Sequence, residues 1–155
     1  MTTHDVLVTG PAEPNESPHV QRLVDDFIRL QERNRGAELA AVLTQTVVLD
    51  LNVPQWRFQV GGDLAVAAAF AQSFPAGFRT TRSRWQPTPN GAVVEYDGWD
   101  AEANTYYRHL ATLEIRDGRI DRLTIYCTGG WDSDTLERQR REAPMVDDEA
   151  TGAAR

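Results

Sequence analysis

Two kinds of hydrophobic spacing divide the chain into a helical first part and a β-rich second part. Between Pro18 and Gly36, apolar residues recur every three or four positions, which predicts an amphipathic helix that starts at the proline and stops at the glycine. Residues 37–43 predict a short second helix, and the alanine-rich residues 64–74 a third. Helices therefore gather early in the chain.

Apolar and β-branched runs predict six strands, of which four follow one another late in the chain. Asn90-Gly91 and Asp117-Gly118 are hairpin signals, and Asp134 predicts the cap of a last helix that ends before Pro144. Early helices followed by strands predict an α+β fold, a curved antiparallel sheet wrapped around the N-terminal helices as an open cone. The predicted strands cover residues 47–54, 55–60, 78–86, 92–99, 105–116 and 119–127.

The 155-residue chain has room for one domain. Residues 17–144 carry the periodic patterns and form that domain. Residues 1–16 have weak periodicity and predict a flexible arm. Residues 145–155 are acidic and rich in small residues, so we expect a disordered tail.

Charge and composition exclude several classes of function. A net charge of −7 argues against nucleic acid, and no apolar run approaches the roughly 20 residues of a membrane-spanning helix. The first residues lack the basic and apolar regions of a signal peptide, and the single cysteine, Cys127, forms no internal disulfide. We therefore expect a cytoplasmic protein. Three histidines and one cysteine show no metal-ligand spacing, so we expect no metal.

Two polar residues, Asp50 and Asn52, interrupt the otherwise apolar strand 47–54. Because they are two positions apart, both side chains point to one face of the strand. On the inner face of a core strand they need hydrogen-bond partners, or they line a cavity. A structural network and pocket chemistry therefore remain equal alternatives for this pair.

The long strand 105–116 contributes further candidates. Tyr107, His109 and Leu113 share a face that becomes apolar toward the hairpin, so we take this face as inward. Ile125 of the last strand joins the same interior, and Trp56 is a substrate-shaping candidate. The sequence thus predicts an apolar and aromatic pocket for a hydrophobic small molecule, with Tyr107, Leu113, Ile125 and Trp56 as substrate-binding residues.

Acid–base chemistry suits such a pocket. A partly desolvated Asp50 would have a raised pKa and would serve as the base. His109 titrates near neutrality and would donate a proton, while Asn52 would orient water or stabilise an oxyanion. None of these roles needs a cofactor. For His109 alone, a structural role in the core is an equal alternative.

Residues 113–120, Leu-Glu-Ile-Arg-Asp-Gly-Arg-Ile, followed by Tyr126, resemble the final hairpin of the nuclear transport factor 2-like superfamily. That superfamily includes SnoaL-type polyketide cyclases, ketosteroid isomerases and limonene epoxide hydrolases. Asn52 and Pro54 also resemble the Asn-x-Pro of its epoxide hydrolases. However, Asp50 stands where those enzymes have tyrosine, and the arginine and carboxylate expected on later strands are absent.

The resemblance leaves three hypotheses open. The first is a cofactor-independent cyclase, isomerase, dehydratase or hydrolase that acts on a small hydrophobic compound through Asp50, Asn52 and His109. The second is a non-catalytic protein that binds such a compound. The third, compatible with both, is a homodimer formed through the outer face of the sheet, because members of this superfamily often pair in that way.

Overall fold

The computed structural model describes residues 18–32, 35–74 and 77–144, which form four helices and one sheet of six strands. The arm and the tail predicted at the two ends lie outside these residues. The helices are α1 (Pro18–Glu32), α2 (Gly36–Ala40), α3 (Asp63–Ser73) and α4 (Ser133–Glu142). The strands are β1 (Leu43–Val53), β2 (Trp56–Gly61), β3 (Phe78–Thr88), β4 (Gly91–Asp100), β5 (Thr105–Arg116) and β6 (Arg119–Cys127).

The sheet is curved, open and mixed, with the strand order β2-β1-β6-β5-β4-β3. The α+β fold predicted from the sequence is confirmed. One pairing differs from the antiparallel sheet that we expected, because β1 and β6 run parallel. Every other neighbouring pair is antiparallel. A parallel pair needs a long connection, and here α3 and four strands lie between β1 and β6.

The core lies between the helices and one face of the sheet. The apolar stripe of α1 packs on β3 and β4, and α3 packs on β1, whose buried Val47, Leu49 and Leu51 join the same hydrophobic core. Phe27 of α1 is fully buried, and its ring makes edge contacts with Phe70 at 6.1 Å and Tyr96 at 6.0 Å. Burial of each such side chain contributes about 1.5–3 kcal/mol. The helices therefore cover the inner face of the curved sheet.

Several boundaries differ from the sequence prediction. The second helix ends at Ala40 rather than at residue 43, and β1 begins at Leu43 rather than at residue 47. Gly36 opens α2 instead of ending the first helix, and only glycine fits there, because a Cβ would lie 2.7 Å from the carbonyl oxygen of Ala67 in α3. The cap of α4 is Asp132, two residues before the predicted Asp134, and its carboxylate accepts a hydrogen bond from the Thr135 N–H at 2.8 Å. Gly36 and Asp132 thus determine where helices begin, but neither residue lines the cavity described next.

Candidate functional site

A cavity of about 160 Å³ opens where the C-terminal ends of β1, β6 and α3 meet the first residues of β3 and β5. Its wall is mainly apolar, and its polar groups are a hydroxyl, a phenol, an imidazole and a thiol. The lining residues are Leu51, Val53, Ser73, Phe74, Phe78, Tyr107, His109, Cys127 and Gly129.

His109 is the most deeply placed titratable group in this wall. Its side chain is 6% exposed and is stacked on Tyr96, its direct neighbour on β4, while Phe74 and Phe78 pack nearby at ring distances of 5.6 and 6.0 Å. Its Nδ1 is buried and has no hydrogen-bond partner among the described residues. Burial lowers the pKa of His109 to about 4, so the ring is neutral at neutral pH.

The two other titratable side chains of the wall are protonated at neutral pH. Burial, with a smaller effect of Asp100, raises the pKa of the Tyr107 phenol. Burial also raises the pKa of the Cys127 thiol, although the Gly129 N–H donates a hydrogen bond to Sγ at 3.3 Å. Cys127 lies directly opposite His109 in the sheet. The wall of the cavity therefore carries no net charge, which favours an uncharged ligand.

The remaining predicted substrate-binding residues take different positions. Leu113 and Ile125 face inward but are fully enclosed in the hydrophobic core and do not line the cavity. Trp56 pairs with Val53, a lining residue, but its own side chain is 70% exposed. Trp56 thus lies at the edge of the sheet beside the cavity rather than in its wall.

Asp50 and Asn52 share one face of β1, but that face is the outer one. The Asp50 carboxylate is held by Arg57 through Nε–Oδ1 and Nη2–Oδ2 bonds of 2.9 and 2.5 Å, and by Gln59 at 2.8 Å. Asn52 donates to Asp50 at 3.3 Å and to the carbonyl of Ile125 at 3.4 Å. The prediction that this pair shares the interior with His109 is therefore wrong.

The electrostatics of Asp50 also differ from the prediction. Asp50 is 3% exposed, but the groups that cover it are the polar side chains of Arg57 and Gln59 and not those of the hydrophobic core. The hydrogen bonds from Arg57 and then Gln59 hold the pKa of Asp50 well below its usual range, against the opposing effect of burial. A carboxylate that stays ionised in an ion pair is a poor proton acceptor at neutral pH, so Asp50 does not have the raised pKa that we expected of a base.

A second polar network on the outer face was missed by the sequence analysis. The Tyr106 hydroxyl donates to Asp97 at 2.7 Å, and Arg108 donates to Glu95 at 2.8 Å. Asp97 is 5% exposed, although its alternation with Tyr96 and Val94 in the sequence is typical of a strand with a solvated face. The sequence could have indicated this network. A hairpin that turns at residues 101–104 places Asp97 opposite Arg108, and these two residues carry opposite charges.

The described residues contain neither a metal-binding cluster nor a membrane-spanning helix. Within residues 18–32, 35–74 and 77–144, no group of three or more histidine, cysteine or acidic side chains is arranged to hold a metal ion. No helix in these ranges is both long and apolar enough to cross a lipid bilayer.

Comparison with known proteins gives structural matches only. No protein family profile and no curated protein sequence matches the chain. A protein from Kribbella flavida described as a ketosteroid isomerase is 19% identical with a TM-score of 0.59, over 78% of this chain and 85% of that one. A nuclear transport factor 2-like protein of unknown function from Burkholderia xenovorans is 16% identical with a TM-score of 0.59, over 78% and 91% of the two chains.

A de novo designed protein with a curved β-sheet also matches, at 17% identity and a TM-score of 0.54, over 79% of this chain and 93% of that one. Because a designed protein shares the architecture, the fold alone does not specify an activity. At these identities the matches establish the architecture that the final hairpin suggested. The chain has the fold of the nuclear transport factor 2-like superfamily.

Proposed function

We propose that this protein is a cofactor-independent enzyme that carries out acid–base chemistry on an uncharged hydrophobic small molecule in the cavity. His109 is the proton-transfer residue, and Tyr107 is a hydrogen-bonding residue for the substrate. The observation that supports this proposal is a neutral imidazole in the wall of an apolar cavity. The reactions that suit such a site are isomerisation, dehydration, cyclisation and epoxide hydrolysis.

The physical argument is that a neutral imidazole can both give and take a hydrogen bond. A desolvated ring polarises a substrate carbonyl or epoxide oxygen through its N–H, or accepts a proton from water or carbon through its free nitrogen. Aromatic neighbours hold the ring in place, so little reorganisation is needed on binding. Asp50 lies on the outer face of β1, away from the cavity. We therefore assign to His109 the acid–base role that the sequence suggested for Asp50.

The test is conversion of a panel of small uncharged ketones, enones and epoxides, followed by mass spectrometry. We expect the wild-type protein to convert at least one compound, and His109→Gln, which keeps hydrogen-bonding capacity but removes acid–base titration, to lose about a hundredfold or more in rate. Asp50→Asn is the control, because that side chain lies outside the cavity. Full activity of the His109→Gln variant contradicts the assignment.

The alternative is a binding protein without catalysis. The observation that favours it is the absence of any carboxylate, lysine or arginine from the wall of this cavity, together with the low pKa of His109, which makes the ring a weak base. A compound that binds tightly and is recovered unchanged after long incubation supports this alternative, provided that no other member of the panel is converted.

We also propose that the protein is a homodimer through the outer face of the sheet. Leu110 and Tyr126 are neighbours on β5 and β6, and their side chains are 42% and 55% exposed in the middle of that face. Arg108 and Glu95 flank them in a groove of about 350 Å³. An apolar centre with a polar rim is the usual composition of a protein interface.

A further inference from the structure

Three buried polar atoms without hydrogen-bond partners among the described residues occur on neighbouring elements in and behind the cavity wall. They are Oε1 of Gln31 on α1, the Tyr96 hydroxyl on β4 and Nδ1 of His109 on β5. Their side chains are 3%, 1% and 6% exposed, in that order. A buried polar group without a partner costs about 1–3 kcal/mol, so three in one region represent a considerable loss of stability.

Tyr96 is a neighbour of each of the other two side chains. Tyr96 and His109 stack with ring centroids 4.7 Å apart. Burial raises the pKa of Tyr96, and a hydrogen-bonding interaction with the nearby Gln31 side chain opposes this rise in part. Neither the Tyr96 hydroxyl nor Oε1 of Gln31, however, has a partner with full hydrogen-bond geometry among the described residues. The amide of Gln31 turns instead toward the Phe27 carbonyl, at a long 3.5 Å.

The Phe74 ring separates Gln31 from the open cavity. It lines the cavity beside His109, and it also lines a second space of about 10 Å³ that Gln31 borders. Such a space is at the lower limit for a single water molecule. A ligand group that reaches Gln31 from the cavity must therefore displace the Phe74 ring.

We propose that Gln31, Tyr96 and His109 form a polar subsite that receives the hydroxyl group of an uncharged alcohol or phenol, while the apolar part of the ligand occupies the cavity. The Tyr96 hydroxyl donates, and Oε1 of Gln31 accepts. A ligand hydroxyl matches this pair because it accepts one hydrogen bond and donates another. This inference rests on the ligand cavity of the proposed function and specifies its substrate class.

A polar group that lacks a partner in the free protein has an unusual signature on mutation. Its removal stabilises the free protein, because an unsatisfied buried group is replaced by an apolar one. The same removal weakens binding of the ligand that would have satisfied it. A polar group that has a structural partner behaves in the opposite way, since its removal destabilises the free protein.

The experiment measures melting temperature and the affinity of two matched probes, para-cresol and toluene, for wild-type protein and for Tyr96→Phe and Gln31→Leu. We expect both variants to melt at a higher temperature than wild type. We expect each to lose about threefold to tenfold in affinity for para-cresol and to keep its affinity for toluene. Gln72→Leu, the same substitution as Gln31→Leu at an exposed position on α3 outside the cavity wall, serves as the control and changes none of these quantities.

Two results overturn the subsite alone: a lower melting temperature for Tyr96→Phe, or an unchanged affinity of both variants for para-cresol while toluene still binds. Failure of the wild-type protein to bind either probe contradicts the cavity of the proposed function and the subsite together. Toluene binding thus reports on the cavity, and the difference between the two probes reports on the subsite.

Discussion

The imidazole of His109 lies against the phenol ring of Tyr96, with ring centroids 4.7 Å apart and an interplanar angle of 14°. The two residues are directly opposite each other on β5 and β4. Tyr107, Phe74 and Phe78 complete the aromatic surroundings of the imidazole. Ring contacts rather than hydrogen bonds therefore hold His109, and its neutral form is the one that this environment favours.

The first prediction concerns the pH dependence of stability. Burial lowers the pKa of His109 from 6.5 to about 4, so between these values the unfolded chain binds a proton that the folded chain does not. This contribution is fully present above pH 6.5 and is lost as the pH falls to about 4, a difference of about 3 kcal/mol at most. Urea denaturation measures the free energy of unfolding at each pH in this range. We expect this free energy to fall less steeply with decreasing pH for His109→Gln than for wild type.

Direct observation of the ring provides the check on that prediction. The His109 proton and nitrogen resonances should titrate with a midpoint near 4 in a folded protein. A midpoint near 6.5 would mean that the ring is solvated, and the proposed neutral imidazole in the cavity wall would then be incorrect.

The second prediction concerns Arg57 and Asp50. Arg57→Leu leaves a buried carboxylate without its bidentate partner, so we expect a lower free energy of unfolding at neutral pH. The pKa of Asp50 is lowered in the folded state, so this stabilisation is present above pH 4 and lost as the pH falls below that value. Urea denaturation at pH 7 measures the effect.

Arg29→Leu is the matched control, because Arg29 and Asp26 form an exposed ion pair on α1 with side chains 46% and 38% exposed. Removal of such a pair changes stability by at most about 1 kcal/mol. Equal effects of the two substitutions would show that the Asp50 cluster does not stabilise the sheet. Ligand binding in the cavity should survive in both variants that remain folded.

The third prediction contrasts two tyrosines on the outer face. Tyr106→Phe removes the donor of a 2.7 Å hydrogen bond to the buried Asp97, so we expect a loss of about 1–3 kcal/mol in the free energy of unfolding. Tyr126→Phe, measured in the Leu110→Lys background in which the proposed dimer interface is disrupted, removes an exposed hydroxyl, and we expect a change within about 0.5 kcal/mol. Thermal and urea denaturation of both variants measure this difference, and a neutral Tyr106→Phe would contradict the network.

The fourth prediction tests the dimer. Leu110→Lys places a charge in the middle of the proposed interface, so we expect the protein to become a monomer at micromolar concentration in light scattering. Leu64→Lys is the matched control, since Leu64 is a 74% exposed leucine on α3, away from the sheet face. A monomeric wild-type protein, or a dimer that tolerates Leu110→Lys, would count against this interface.

Much of the fold follows from local patterns in the sequence. The 3.6-residue period of α1, the Asp117-Gly118 turn and the long alternating β5 predict elements that the structure contains at nearly the same bounds. The parallel pairing of β1 with β6 could not be predicted in this way. It joins strands about 75 positions apart, as in the pairing of Asp50 with Thr124, and no local signal specifies such a contact.

The position of Asp50 on the outer face could have been predicted from the sequence. Val47, Leu49, Leu51 and Val53 are all apolar and alternate with the positions of Asp50 and Asn52, so the strand pattern itself places the polar pair on the face away from the core. The grouping of Gln31, Tyr96 and His109 could not have been predicted from the sequence. Its members come from α1, β4 and β5, and only the packing of the sheet on the helices brings them together.

The most direct test of the central claim, that ligands bind in the cavity beside His109, is an NMR titration of the wild-type protein with para-cresol. We predict that the methyl resonances of Leu51 and Val53 and the ring resonances of His109 shift, while the side-chain amides of Asn52 and Gln59 on the outer face do not. Shifts confined to the outer-face amides, with the cavity methyls unchanged, would contradict the account.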